Sequence, residues 1–365
     1  SPARAARADP SAAMPVALLA PLGASDRGAA AFARDLVDAA RMAVAEAGPG
    51  LVALDVRDTR GTPDGAAAAA RAALESGAAL ILGPLFGAHT DDAAEPAAAR
   101  GVNLLGFSNT PSVAGGNVWL LGRLASDESE RILVHAVGQG ISAVGVFHPL
   151  NAEGEVARSA AAAAARRLGV RLAPAVAYPR SFEGIQDAAP DYAEAHLAAG
   201  AQAVLLPDGG QGLQAAAAFL NQQGLTRRET LFLGLGRWDS PATPRENALR
   251  GGRFASLDPA LAADFAARFE ARHGRAPAPD AVIGYDAAAA ALAMARRARA
   301  AGDPTPFDAA AITYPAGFQG AAGRVRLTAE GLNARELAVM AVRADGFEVL
   351  ERAPSADALA AGPGA

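Results

Sequence analysis

Met14-Pro15-Val16-Ala17-Leu18-Leu19-Ala20, followed by Pro21-Leu22-Gly23-Ala24-Ser25-Asp26-Arg27-Gly28 and then an alanine-rich run to Ala47, decides the reading of this chain. A short uncharged run closed by proline and glycine has the length and punctuation of a buried strand, and the alanine-rich stretch beyond it suits a helix over Ala29–Ala47. The cadence returns at Ala79–Leu82, which runs into Gly83-Pro84-Leu85-Phe86-Gly87. Working outward, the pattern predicts strands at Leu51–Val56, Val102–Phe107 and Val118–Leu121, and helices at Asp64–Ser76 and Thr90–Arg100. Such a βαβ series closes as a parallel sheet. The loops after its strands lie at the edge where backbone amides and helix N-termini converge on ligands.

A second series repeats this grammar. A helix at Asp127–Gln139 leads to strands at Ala143–Phe147, Val170–Ala177, Ala203–Leu206 and Leu231–Leu235, separated by helices at Glu153–Leu168, Ile185–Ala199 and Gly212–Gly224. The tail holds helices at Pro259–His273, with Asp258 as N-cap, and at Asp280–Ala301, then strands at Val325–Leu327 and Leu337–Val342 before the turn Asp345-Gly346. These elements are too few for a third core, so they are expected to complete the two sheets already begun. The expected division is an α/β chain of two Rossmann-like lobes with a cleft between them. One lobe spans residues 1–122 and 252–318, the other 123–251 and 319–350, with 351–365 a frayed tail and Ser1–Ala13 a flexible leader.

Composition removes whole classes of chemistry. Among the 365 residues there is no lysine and no cysteine, so all 33 basic residues are arginine. Schiff-base and P-loop lysines, cysteine nucleophiles, thiolate zinc sites and disulfides are excluded together. A net charge of −5 without a basic run argues against a nucleic-acid partner. No run of apolar residues reaches the length of a membrane span.

The candidate chemistry lies in the loops. Of the five histidines, His135 and His196 fall within predicted helices and His273 at a helix end, whereas His89 and His148 follow strands and should face the cleft. No His-x-x-x-His spacing supports a helix-borne metal, and neither a metal nor a cofactor is expected. Ser108, Asn109, Thr110 and Ser112 read as a hydroxyl-presenting loop. The rival reading makes Ser108 a hydrolase nucleophile with His89 or His148, although no Gly-x-Ser-x-Gly surrounds it. Trp238-Asp239, after the strand ending at Leu235, reads equally as an apolar wall with a charge and as lobe-edge packing beside a helix cap; Tyr285-Asp286 is open in the same way.

Taken in order, the motifs resemble the type I periplasmic binding proteins of the leucine/isoleucine/valine-binding kind. They comprise Pro21-Leu22-Gly23, Asp55-Val56-Arg57-Asp58-Thr59, Leu82-Gly83-Pro84-Leu85, Phe107-Ser108-Asn109-Thr110-Pro111-Ser112-Val113-Ala114, Leu235-Gly236-Arg237-Trp238-Asp239, Gly284-Tyr285-Asp286-Ala287 and Phe318-Gln319-Gly320-Ala321-Ala322-Gly323. The Ser108–Ala114 loop and the Trp-Asp segment also resemble the penicillin-binding protein activator branch. The resemblance implies a non-enzymatic protein of the periplasm, lipid-anchored before processing or truncation, whose lobes close on a small polar ligand. Its partner would be an ABC permease or a peptidoglycan synthase, or the domain would act through its surface without a ligand. By position, the first lobe would contribute Ser25, Ala88, His89, Ser108, Asn109, Thr110 and Ser112. The second would contribute the loop from His148 to Glu153, Asp208, Trp238 and Asp239, and Tyr285 is a further candidate. The chain departs from the branched-chain amino-acid receptors at Thr110-Pro111-Ser112, where they show an Ala-Thr pair, and at Glu153, where they carry an aromatic before the glycine.

Overall fold

Burial of the short apolar runs between alanine-faced helices organises the chain. The structure is a computed structural model describing residues 12–353; most of the expected leader and the tail from residue 354 lie outside the described residues. The contacts divide the chain into two units, residues 12–123 with Ala260–Arg335, and Leu124–Pro259 with residues 336–353.

The first unit opens with β1 (Met14–Ala20), α1 (Arg27–Ala47), β2 (Val52–Asp58), α2 (Pro63–Glu75), β3 (Leu80–Leu82), α3 (Thr90–Ala98), β4 (Asn103–Gly106) and β5 (Val118–Leu120). Its parallel sheet has the order β2-β1-β3-β4-β5. Helix α1 begins where the Asp26 carboxylate accepts the Gly28 and Ala29 N–H groups at 2.7 and 3.1 Å, and it ends at Gly48 with φ 83°. Its buried stripe of Ala33, Leu36, Val37 and Ala40 joins the core beneath β1 and β3. A fully buried leucine such as Leu36 contributes about 1.5–3 kcal/mol.

The second unit takes up α4 (Ala125–Gly138), β6 (Ala143–Pro149), α5 (Ala152–Leu168), β7 (Arg171–Tyr178), α6 (Phe182–Ala198), β8 (Ala203–Leu206), α7 (Gly210–Gln222), β9 (Leu231–Gly234) and β10 (Arg253–Ser256). The chain then returns to the first unit through α8 (Pro259–His273), α9 (Val282–Ala301), α10 (Ala309–Ile312), β11 (Phe318–Gly320), β12 (Gly323–Leu327) and β13 (Asn333–Arg335). It ends, within the described residues, with β14 (Ala338–Arg343) and β15 (Gly346–Glu351) in the second. The second sheet runs β15-β14-β10-β9-β8-β6-β7, parallel from β7 to β10 and antiparallel beyond.

Three placements differ from the sequence reading. Residues 253–256, expected in the first lobe, form β10 and pair with both β9 and β14. Residues 319–335, expected in the second, supply β11–β13, a three-stranded antiparallel sheet of the first unit. It is held there by Asn333, whose amide donates to the Leu120 and Gly122 carbonyls, and by Arg335, buried against Asp286 of α9 at 2.7 Å. Glu351, expected to open the frayed tail, closes β15: its carboxylate takes hydrogen bonds from His135 and Arg131 that outweigh its partial burial and lower its pKa.

Candidate functional site

Both parallel sheets share one winding: in the second unit β7-β6-β8-β9-β10 repeats the order of β2-β1-β3-β4-β5. The order reverses between β1 and β3 and again between β6 and β8, and ligands in such sheets sit outside the carboxyl ends of the strands at that reversal. Each unit therefore has its own candidate edge.

In the first unit the loops after β1 to β4 are drawn together. Asp58, at the end of β2, accepts the Gly23 and Arg60 N–H groups at 3.0 and 2.7 Å, which ties the loop after β1 to the loop after β2. Gly83 turns with φ 102° directly over the Leu19 carbonyl, where a Cβ would lie 2.4 Å from the oxygen, so only glycine fits. Gly87 leaves room for Ser108 Oγ, which would stand 2.6 Å from a Cβ at that position. Ser108 is buried and its Oγ accepts the Thr110 N–H at 3.0 Å. This bond holds a loop whose Asn109, Thr110 and Ser112 are exposed, as are Ser25 and Ala88 in the neighbouring loops. His89 is half-buried, edge-on to Phe86 at 5.3 Å. The loop after β4 presents uncharged side chains, whereas Arg27, opening α1, and Arg60, in the loop after β2, are exposed.

The second edge is built on charge. Asp208, after β8, is 3% exposed and fully engaged: Tyr178 Oη donates to Oδ2 at 2.9 Å, while Arg180 Nε and Nη2 and the Gly209 N–H donate to Oδ1 at 3.2, 3.0 and 2.7 Å. Burial, together with the Asp208 charge, pushes the Tyr178 hydroxyl far above its ordinary pKa and keeps it a donor. The hydrogen bonds to Asp208 raise the pKa of Arg180, whose side chain remains 45% exposed. Arg237, after β9, passes against Gly209, where a Cβ would meet its Nε at 3.1 Å, and donates from Nη1 to Glu153 at 2.7 Å. Asn151 caps α5 through the Gly154 N–H and sets Glu153 in the first turn. Asp239 is exposed and accepts the Ser256 hydroxyl at 2.6 Å.

Several expected site residues have other places. Trp238 is fully buried in the second unit's core, with Nε1 donating to the Leu206 carbonyl at 2.9 Å and its ring lying over Gly234 and 6.1 Å from Phe254, so it is no ligand wall. His148 lies inside β6 rather than in a loop and is 1% exposed, with Nδ1 against the Pro149 carbonyl. Tyr285 donates to Glu46, the penultimate residue of α1. That is ~30 Å along the helix from its Asp26 cap, at 1.5 Å per residue, and so far from the candidate edge. Ser108 is bonded by no histidine, and its oxygen serves as an acceptor inside a turn. Arg180 and Arg237 escaped the sequence reading. The available signal was position, since each lies two or three residues after the end of a strand.

A family model described as periplasmic binding protein matches residues 15–347. The chain belongs to the periplasmic binding protein family. Membership in this family implies a periplasmic location. No curated protein sequence matches it significantly. Among solved structures, a candidate branched-chain amino acid ABC transporter from Rhodospirillum rubrum aligns with TM-score 0.77 at 20% identity, over 93% of this chain and 100% of the other. A leucine-binding protein from Thermotoga maritima aligns with TM-score 0.64 at 20% identity, over 94% and 99%. A solute-binding protein from R. palustris, solved with benzoate, aligns with TM-score 0.61 at 16% identity, over 93% and 96%. At these identities the likeness extends to the fold: the two-lobed type I arrangement of this family.

Proposed function

We propose that this periplasmic binding protein is a non-enzymatic receptor that takes a small, partly polar solute at the carboxyl edge of its first sheet and presents it to an ABC permease. The observation that carries the reading is the exposed Asn109, Thr110 and Ser112 set around a fixed Ser108 at the carboxyl edge of the first sheet. Family membership over residues 15–347 supports a receptor, and the solved relatives whose names include branched-chain amino acid, leucine or benzoate indicate the size of ligand to try first. Regulation of a peptidoglycan synthase has weaker support, because the indole of Trp238-Asp239, one of the two motifs behind that likeness, is engaged in the core. Native mass spectrometry of the purified protein, followed by calorimetry with amino acids and small carboxylates, tests the reading. A one-to-one complex that Thr110→Ala and Ser112→Ala weaken at least fivefold is expected. Absence of any bound solute, or turnover of an ester that Ser108→Ala abolishes, would overturn it.

A further inference from the structure

The first sheet ends at β2, and among the described residues no strand pairs with the outer side of β2. We infer that this edge is an interface for a second copy of the chain, with β2 lying antiparallel to β2 across a two-fold axis at Val56. The backbone directions follow from two hydrogen bonds. The Leu51 carbonyl accepts the Met14 N–H and the Thr59 N–H donates to the Ala20 carbonyl, so the odd-numbered residues of β2 face β1. Alternation along the strand then turns the N–H and C=O groups of Val52, Leu54, Val56 and Asp58 outward. The other edges of the two large sheets are blunted. β7 carries Pro174, β15 meets β14 with a register shift, and β5 is three residues long with its Leu120 N–H already given to the Gly331 carbonyl. β2 is seven residues long, contains neither proline nor glycine, and pairs with β1 without a bulge.

Charge selects the occupant and the register. Asp55 and Arg57 stand two apart on the same face of β2, with side chains 48% and 33% exposed. Arg57 Nε donates to Asp55 Oδ2 at 2.7 Å and its Nη2 donates to Ser76 Oγ at 2.8 Å. Among the described residues, Asp55 Oδ1 and Arg57 Nη1 have no partner. One acid and one arginine on an open edge are self-complementary. With Val56 on the axis, Asp55 lies directly opposite Arg57 of the second copy, in the closely spaced pairs where cross-strand side chains meet. Backbone hydrogen bonds then form at Val56 itself and between Leu54 and Asp58 on either side, while the Asp58 carboxylate stays on the Gly23 and Arg60 amides. An axis at Asp55 would set two carboxylates against each other, and an axis at Leu54 would leave Asp55 facing Ala53. Two-fold symmetry forms the favourable pair twice from one sequence.

Sedimentation velocity of the full chain over a series of concentrations tests the interface, with thermal melting to show that each variant is folded. A concentration-dependent dimer is expected. Asp55→Arg and Arg57→Asp should each weaken it at least about tenfold, because symmetry makes every substitution act twice, and the two reversals combined should restore it to within about threefold. Cross-linking reads the register, since the chain has no cysteine of its own. Val56→Cys, at the axis, should oxidise to a covalent dimer, whereas Cys at the exposed Ala53 should not. A chain that stays monomeric at every concentration would overturn the interface. So would a dimer indifferent to both charge reversals, because another surface would then join the copies. Either result would leave the receptor reading standing.

Discussion

The two sheet edges solve one problem with different chemistry. At the first, Asp58 is used up on the Gly23 and Arg60 amides, and the neighbouring loop after β4 presents the neutral Asn109, Thr110 and Ser112. At the second, Asp208 is used up on Tyr178, Arg180 and Gly209, and the rim it fastens carries a guanidinium. A carboxylate in a loop after a strand is therefore no sign of a ligand contact by itself. Its partners decide whether the edge shows hydroxyls or charge.

The contrast is most sharply tested by removing Trp238. Because this indole is fully buried in the core of the second unit, Trp238→Ala should cost about 3–5 kcal/mol. Denaturation followed by circular dichroism should show the loss, with Trp119 fluorescence reporting the first unit separately, since the chain has two tryptophans. Retained stability with lost binding would return Trp238 to the site.

Removing Asp208 should have a smaller effect on stability, about 1–3 kcal/mol, because the buried Tyr178 hydroxyl loses its acceptor. Asp58→Ala, whose partners are exposed amides, should cost less than Asp208→Ala in the same urea titration. Equal costs would dissolve the distinction between the edges.

A pH scan sharpens the comparison further, because a buried histidine sits in the second unit. Burial lowers the pKa of His196, so the unfolded chain takes up a proton before the native one. Stability should fall as pH drops below the ordinary histidine value of about 6.5. His196→Gln should flatten the decline between about pH 7 and 5, read as the midpoint of urea unfolding. The smallest stability effect belongs to the first rim: Ser112→Ala should stay within about 0.5 kcal/mol by thermal melting. A larger loss would mean that the loop is structural rather than presented to solute.

Much of this architecture was legible. Strands β1 and β8 follow the apolar runs to the residue, and the α8 boundaries match, because each is encoded within its own segment. The Ser108 loop was also readable, since its exposed hydroxyls lie immediately after a strand. The second rim was not. Arg180 is paired with Asp208, 28 residues away, and Arg237 with Glu153, 84 residues away, and no local pattern announces either pairing.

By itself the sequence determined the alternation of strand and helix, the absence of lysine and cysteine chemistry, and the loops in which a site should be sought, because hydrophobic period and residue type are local properties. Only the tertiary structure decided that 253–256 and 319–335 join the sheets they do, that Trp238 turns inward to the Leu206 carbonyl, and that Asp208 faces the protein while Arg180 faces out. Those outcomes depend on which distant groups satisfy a buried polar atom or an open sheet edge, and that choice is made when the sheets assemble.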